Sequence, residues 1–320
     1  MRRFFTSAAA TFALVLLMAA PASSASMEPL VSVQWLDSHL RDANLVVLDV
    51  RSAIDGGGAE AYQAGHIPGS VHSDYDKDGW RVTRNNIPFM VPTAAELEKL
   101  IGDLGIDEES QVVVVPAGVS VLDFGSATRT YWTLKLVGVK NVSILDGGMA
   151  AWAQSNLRTE KGVRPPSPKI FTAVFDKSLM ADVSEVEKIA SSGGATLLDA
   201  RPAPFFSGKD RAPNAGAYGH IPGALSLYSG EFYDEKTNRL KPIAELAAIA
   251  KQVPAGPAVT YCNTGHWAST DWFVLHELFG RADARLFPGS IVEWTSNASR
   301  PVASSRTKWD DLKKRLGFGS

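Results

Sequence analysis

The feature that most constrains the fold of this chain is an internal duplication. The pentapeptide Gly-His-Ile-Pro-Gly occurs at 65–69 and again at 219–223. Upstream of each copy, a short apolar run ends in Asp-x-Arg, at 49–51 and at 199–201. Matching motifs at matching places in the two halves predict two copies of one structural unit.

Strand and helix patterns extend the match and indicate the class of fold. Short, β-branched, apolar runs predict buried strands, and stretches with helical spacing follow them. Such alternation favours an α/β fold in which each unit has a mainly parallel sheet with helices on both faces and ligand sites at the carboxyl ends of the strands. The matching segments are 45–51 with 196–201, 112–115 with 258–261, 131–138 with 273–280, and 146–152 with 288–294.

A proline-rich stretch separates the two units. With 320 residues the chain is long enough for two domains. Residues 161–168 contain three prolines and few apolar side chains, which is typical of a linker. We therefore predict a first domain at 27–160, a linker at 161–176, a second domain at 177–305 and a tail at 306–320, with a helix over 307–316.

The first 26 residues have the pattern of a secretory signal peptide. Two arginines precede an apolar run at 8–20, and small residues suited to a signal peptidase follow. The run is shorter than the roughly 20 residues that a spanning helix needs, so no stable membrane anchor is expected. We expect export, to the periplasm, by the general secretory route; the paired arginines leave the twin-arginine route open.

Charge composition argues against nucleic acid as a partner. The chain has 32 basic and 34 acidic residues, a net charge of -2, and no long block of lysine and arginine. Neither nucleic acid nor an anionic membrane surface is favoured by that distribution. Small molecules are the expected ligands, and the sequence leaves the oligomeric state open.

Cys262 is the only cysteine in the sequence and lies between a predicted strand and a predicted helix. A strand-to-helix loop directs backbone N–H groups and the positive end of a helix dipole at one point, which favours an anion such as a thiolate. A lone cysteine is otherwise often a small buried apolar residue. The polar or permissive residues that follow it favour the nucleophile: Asn263, Thr264, Gly265 and His266.

Together these motifs resemble the tandem-domain rhodaneses, a family of sulfurtransferases whose second half carries the active cysteine. The resemblance covers nearly all of the chain after residue 26. It rests on the two Asp-x-Arg strand ends, the two Gly-His-Ile-Pro-Gly motifs, the glycine-containing turns at 146–148 and 288–290 with their tryptophans, and the Cys262 loop.

The resemblance implies a division of labour between the halves. In the first half, the strand at 112–115 leads into Pro116 without a cysteine, and we expect a longer loop before the helix there. That half should be catalytically silent and form one wall of a cleft over Cys262. His66 and His220 occur in both halves, so they are expected to stabilise turns rather than bind metal, and the Asp-x-Arg pairs are expected to be structural.

The substrate-binding residues are less clear because the sequence departs from the family pattern. The family's second halves often have an arginine four residues after Arg201, where this chain has Phe205. Lys209 and Arg211 are the nearest basic candidates, Arg201 is a further one, and each has the alternative of a solvated or structural charge. Residues 263–265 match neither the basic loop of thiosulfate-using relatives nor the Gly-Ser-Gly of mercaptopyruvate-using relatives.

Loop residues 266 and 267 also have two possible roles each. His266 is the one titratable loop side chain besides Cys262, and a protonated ring there would favour the thiolate. Trp267 could cover the site or simply pack.

The resemblance implies sulfur transfer through a Cys262 persulfide, from a small donor to a thiol or cyanide acceptor, without metal or cofactor. We expect thiosulfate as the donor, because mercaptopyruvate is chiefly intracellular and the chain is expected to be exported; 3-mercaptopyruvate is the alternative. A thiolate phosphatase is disfavoured, since its loop needs an arginine where Ala268 stands. A non-catalytic persulfide carrier remains open.

Overall fold

The structure is a computed structural model that describes residues 27–55 and 57–306. The predicted signal peptide and the predicted helix at 307–316 lie outside the described residues. Within 27–55 and 57–306, no helix combines the length and apolar character that crossing a bilayer requires.

The first domain is built on a parallel sheet. Its strands are β1 (Leu30–Val31), β2 (Leu45–Asp49), β3 (Val71–His72), β4 (Val82–Arg84), β5 (Ile87–Met90), β6 (Gln111–Val115) and β7 (Asn141–Leu145). Its helices are α1 (Val33–His39), α2 (Ala59–Ala64), α3 (Ala94–Asp103), α4 (Val121–Leu136) and α5 (Gly148–Gln154), with a 3-10 helix at Ala53–Asp55. Five strands form one sheet in the order β1-β7-β6-β2-β3, and every neighbouring pair is parallel. Strands β4 and β5 form a separate antiparallel hairpin.

The second domain repeats this plan with a four-stranded sheet. Its strands are β8 (Thr196–Asp199), β9 (Leu225–Ser226), β10 (Tyr233–Asp234), β11 (Arg239–Leu240), β12 (Ala258–Tyr261) and β13 (Ala284–Leu286). Its helices are α6 (Val183–Ser192), α7 (Ala203–Ser207), α8 (Ile243–Ala250), α9 (Ala268–Trp272) and α10 (Ser290–Trp294), with 3-10 helices at Lys177–Leu179 and Ser229–Phe232. The sheet order is β13-β12-β8-β9, again with parallel neighbours.

Helices cover both faces of each sheet, which confirms the predicted fold class. Successive residues of a strand point to opposite faces. Along β6, Val112 and Val114 therefore belong to the core that includes α3 and α4, whereas Val113 and Val115 belong to the core that includes α1 and α5. The second sheet is covered in the same way, by α8 with Val274 and Leu275 on one side and by α6 and α10 on the other.

The strand registers show which residues of the two halves are equivalent. In each sheet, the Asp of the Asp-x-Arg motif pairs with the last residue of the neighbouring strand, Val115 or Tyr261. The next residues, Pro116 and Cys262, thus hold equivalent places. Their carbonyl groups accept backbone hydrogen bonds of 2.8 and 3.0 Å from α5 and α10, respectively. A proline therefore stands in the first domain where the second has its thiol.

The loop after Pro116 is shorter than the one after Cys262, so the prediction of a longer loop in the first half is wrong. It spans 116–120, whereas its equivalent spans 262–267. The helix begins earlier in the first domain because Ser120 caps it: Ser120 Oγ accepts from the N–H of Asp123, whose carboxylate accepts from the N–H of Ser120.

The two domains share one continuous apolar core, formed mainly where α4 meets α9. The Tyr131 and Phe273 rings lie 5.0 Å apart, edge to face. The Tyr131 hydroxyl also donates to Glu277 across the interface, at 2.6 Å. The helix predicted after the Cys262 loop is present as α9, but beyond Trp272 it continues as a π-helix, Phe273–Leu278. Gly280 follows in the left-handed region (φ 65°), as expected at a helix end.

The predicted linker runs along the first domain. Residues 161–176 contain no helix or strand. The N–H of Lys169 donates to the carbonyl of Gly102 and that of Val174 to the carbonyl of Val137, at 2.9 and 3.0 Å. Phe171 is buried in the core of that domain. These contacts hold the connection between the domains in place.

Candidate active site

Cys262 is the first residue after the central strand β12 and is 1% exposed. Its N–H donates to Ser290 Oγ at 3.0 Å, and the Ser290 hydroxyl donates to the carbonyl of Phe287 at 2.9 Å. Ser290 belongs to the turn at 288–290 and has a positive φ of 52°. The turn at 288–290 therefore fixes the backbone at Cys262.

The Cys262 loop, defined as residues 262–267, carries backbone donors without acceptors. No hydrogen-bond acceptor within residues 27–55 and 57–306 faces the N–H groups of 263–267. Gly265 has a φ of 74°, which allows the loop to bend tightly. Consecutive unpaired N–H groups beside a thiol favour an anion there, as predicted from the strand-to-helix position.

The Asp-x-Arg pairs have the predicted structural role, since they stabilise the two Gly-His-Ile-Pro-Gly motifs. Arg51 and Arg201 each pair with the Asp two residues earlier, at 2.7 and 2.6 Å, and each donates to the carbonyl of the first glycine of Gly-His-Ile-Pro-Gly. Burial lowers the pKa of Arg201, but the hydrogen bond and charge of Asp199 more than offset this and raise it above its usual value. Arg201 also lies 3.5 Å from Asn263 Oδ1. It reaches the Cys262 loop through that side chain.

His66 and His220 make matching contacts in the two domains. Nδ1 of each ring lies within hydrogen-bond distance of a backbone carbonyl, that of Tyr62 at 2.9 Å and that of Phe206 at 2.7 Å. Each ring stacks on the side chain of the same residue, with centroids 4.0 and 3.8 Å apart. The contacts agree with the structural role predicted for both. Across the described residues, no group of three or more histidine, cysteine or acidic side chains is arranged to hold a metal ion.

His266 does not supply the positive charge that a protonated ring would bring to the thiolate. It is buried against the first domain, with Nε2 2.8 Å from the carbonyl of Leu122 and Nδ1 2.9 Å from the Tyr75 hydroxyl. The carbonyl can only accept, so Nε2 carries the proton and Nδ1 accepts from Tyr75. Burial, together with the charges of Arg81 and Arg129, lowers the pKa of His266 to about 3. The ring is neutral at pH 7 and joins the domains.

Trp267 packs within the second domain. Its ring meets those of Phe205 and Tyr228 edge to face, at 6.2 and 6.5 Å. Its Nε1 is buried and has no hydrogen-bond partner among the described residues. The packing role that the sequence left open is therefore observed.

Lys209 and Arg211 do not contact the Cys262 loop. Both are exposed. Arg211 donates to the carbonyl of Ala215, and its guanidinium lies 5.1 Å from the centre of the Tyr218 ring. No hydrogen bond or ion pair within the described residues joins either side chain to 262–267. The structure thus gives no support to these two as anion-binding residues.

Two residues of the first domain that the sequence did not single out contact the loop, Tyr75 and Arg129, and a third, Arg81, lies behind Tyr75. Arg129, on α4, donates to the carbonyl of Thr264 at 3.3 Å and is 1% exposed. Arg81 lies over the Tyr75 ring, 4.2 Å from its centre, and pairs with Asp76 at 2.8 Å. The available signal was the single arginine of α4, close to Tyr131 and Trp132 in the sequence. The first domain therefore forms a wall of the site, as predicted, and that wall is basic.

Comparisons with known proteins agree along the whole length of the two domains. A family model for the rhodanese-like domain matches residues 32–155 and 182–297. The 3-mercaptopyruvate sulfurtransferase of Escherichia coli (strain K12) is 31% identical over 280 residues, covering 85% of this chain and 96% of the relative. The mitochondrial thiosulfate/3-mercaptopyruvate sulfurtransferase 1 of Arabidopsis thaliana is 28% identical, covering 88% and 80%. A crystal structure from Escherichia coli, described as a 3-mercaptopyruvate sulfotransferase with the "Rhodanese" fold, aligns with a TM-score of 0.71 and 28% identity, covering 82% of this chain and 99% of that chain.

Proposed function

This chain belongs to the rhodanese-like domain family and carries two copies of the domain, and we propose from that premise that it is a sulfurtransferase that works through Cys262. The observation that carries the proposal is the position of the only thiol in the sequence. Cys262 ends a central strand, at a loop whose N–H groups at 263–267 have no acceptor among the described residues.

In the first half-reaction, the Cys262 thiolate attacks the transferable sulfur of the donor, which is the outer sulfur of thiosulfate or the thiol sulfur of 3-mercaptopyruvate. A bond forms between Sγ and that sulfur. With thiosulfate, the S–S bond breaks and its electron pair leaves with sulfite; with 3-mercaptopyruvate, the C–S bond breaks and the resulting enolate takes up a proton to give pyruvate. The persulfide that remains carries negative charge, which the N–H groups of 263–267 stabilise.

In the second half-reaction, an acceptor removes the outer sulfur. A thiolate or cyanide attacks it, the bond to Sγ breaks, and the electron pair returns to Cys262 as the thiolate. The products are an acceptor persulfide or thiocyanate. Each product leaves before the next substrate binds, so the kinetics are expected to be ping-pong.

For the donor, we propose 3-mercaptopyruvate first and thiosulfate second. The expectation of thiosulfate rested on export alone, whereas the relatives above carry 3-mercaptopyruvate in their names. Thr264 and Gly265 also resemble the mercaptopyruvate-type loop more than a basic one. Nothing basic from the second domain other than Arg201 contacts the loop among the described residues.

Steady-state kinetics with each donor and a thiol acceptor test the proposal. Turnover with parallel double-reciprocal plots is expected, and Cys262→Ser should abolish it because a hydroxyl does not ionise near neutral pH. A wild-type protein that takes up sulfur but shows no turnover would instead indicate the persulfide carrier. Turnover retained in Cys262→Ser would rule out the mechanism.

We also propose that the protein is exported to the periplasm. The support is the order of charged, apolar and small residues in 1–26. N-terminal sequencing of the native protein should give a start near residues 23–27, and a native protein beginning at Met1 would contradict export.

A further inference from the structure

Among residues 27–55 and 57–306, Arg129 is a buried cation with which no acidic side chain forms an ion pair. It stands on α4 of the domain that lacks a cysteine and is 1% exposed. Its Nη1 donates to the Thr264 carbonyl, while its Nε and Nη2 have no hydrogen-bond partner within the described residues. Its guanidinium lies 5.0 Å from the centre of the Trp132 ring. A fully desolvated guanidinium with two free donors is costly unless an acceptor joins it.

The guanidinium of Arg129 lies against the bend of the Cys262 loop. A Cβ atom placed at Gly265 would collide with Arg129 Nη1, so the guanidinium packs directly on that glycine. Burial lowers the pKa of Arg129 to about 10, with a smaller lowering from Arg81 and opposing effects of Tyr75 and Cys262. The group remains charged at pH 7 and close enough to the thiol to interact with it.

Every unpartnered buried side-chain nitrogen at this loop is a donor. Besides Arg129, these are Nε1 of Trp267 and, behind Tyr75, Nε of Arg81, whose Nη2 pairs with Asp76. The N–H groups of 263–267 add backbone donors without acceptors among the described residues. The carbonyl of Thr264 and Oδ1 of Asn263 already accept from Arg129 and Arg201, so free donors predominate at this loop, and such a site is complementary to an anion.

The second domain leaves this role open. Arg201 is committed to Asp199 and to the carbonyl of Gly219. Phe205 packs its ring against Trp267, and no cation takes that place. Lys209 and Arg211 are exposed and make no described contact with the loop.

We propose that Arg129, from the cysteine-free domain, binds the carboxylate or sulfonate group of the small donor that delivers sulfur to Cys262. The proposal rests on the sulfurtransferase function proposed above and assigns the anion site of that reaction to the first domain. The donor's anionic end accepts hydrogen bonds from Arg129 Nε and Nη2 while its sulfur faces Sγ.

A pair of alkylating reagents tests the anion site without any sulfur donor. Iodoacetate carries a carboxylate and iodoacetamide is its neutral analogue, and both modify a thiolate by forming an S–C bond with loss of iodide. Cys262 is the only cysteine in the sequence, so loss of free thiol reports on it alone. The ratio of the iodoacetate rate constant to the iodoacetamide rate constant measures attraction of the anion, because a change in thiolate content affects both reagents equally.

Arg129→Gln should lower this ratio about tenfold, since a hydrogen-bonded charge contributes at least that much. Arg84→Gln is the matched control: it removes one positive charge from the same domain, at a half-exposed pair with Glu96, and should leave the ratio unchanged. Equal slowing of both reagents in Arg129→Gln would overturn the proposal, because Arg129 would then only hold the loop. Failure of both reagents to reach Cys262 would overturn it too.

Two further measurements keep the test decisive. If Arg129→Gln does not fold, the test uses wild-type protein. Pyruvate or sulfate should then slow the reaction of iodoacetamide with Cys262 in a saturable manner, whereas neutral acetamide should not. Absence of protection by either anion would overturn the proposal. In steady-state assays, Arg129→Gln should raise the donor KM about tenfold with a smaller change in kcat. A wild type that takes up no sulfur yet shows the Arg129-dependent ratio would refute the sulfurtransferase and retain the anion site.

Discussion

Replacing His266 with a residue that does not titrate is expected to reduce the loss of folding stability at acid pH. The ring is buried between the domains, and its pKa falls from 6.5 to about 3, chiefly because burial penalises the charged form. Between these values the unfolded chain binds a proton that the folded protein does not bind, so stability rises with pH across that window. The stability that depends on a neutral His266 ring is thus complete above pH 6.5 and is lost as the pH falls toward 3.

The size of the effect follows from the two pKa values. Titration of His266 makes the free energy of unfolding about 3 kcal/mol lower at pH 4 than at pH 7. His266→Gln keeps a donor for the carbonyl of Leu122 but does not titrate. The difference in free energy of unfolding between pH 7 and pH 4 should therefore be about 3 kcal/mol smaller in the variant than in the wild type.

Urea unfolding followed by tryptophan fluorescence at the two pH values measures this difference. Tyr75→Phe is the control: it removes the hydroxyl that donates to Nδ1 but leaves the ring buried, so the wild-type pH dependence should remain. An identical pH dependence in wild type and His266→Gln would show that the ring is charged or exposed, and the account of the interface would be wrong.

Three other predictions follow from single contacts. Gly265→Ala should lower both the melting temperature and the activity far more than Gly256→Ala. Both glycines have positive φ, but only Gly265 has Arg129 and the carbonyl of Pro288 packed against it. Equal effects of the two substitutions would contradict the close packing. His66→Ala and His220→Ala should each cost about 1–3 kcal/mol of stability and change kcat little, since each loses a stacked ring and a hydrogen bond; loss of turnover in a fully stable His220→Ala would contradict this. Lys209→Gln and Arg211→Gln should change the donor KM less than about twofold, and a tenfold rise would show that these side chains do reach the donor.

The fold was accessible from the sequence because its signals are local and occur twice. Each Gly-His-Ile-Pro-Gly motif and each Asp-x-Arg pair forms contacts within its own half, so the duplication revealed both. The position of Cys262 could be inferred for the same reason, since a strand, a loop and a helix follow one another in the chain.

The charge and the wall of the site were not accessible, because they depend on how the domains meet. Arg129 and Gly265 come together from distant parts of the chain, and no spacing connects them. The pKa of His266 falls to about 3 because the other domain buries the ring and places the charges of Arg81 and Arg129 near it. The early start of α4 depends on the capping contact between Ser120 and Asp123, which a count of loop residues does not show.

The most direct test of the central claim is the intact mass of the protein after incubation with each donor. Cys262 should take up one sulfur atom from 3-mercaptopyruvate or thiosulfate, and addition of a thiol acceptor should return the protein to its original mass. Cys262→Ser, which keeps the size of the side chain but not the ionisable thiol, should show no adduct with either donor. A wild-type protein that gains no sulfur from either donor, or a Cys262→Ser protein that gains one, would contradict persulfide transfer at this site.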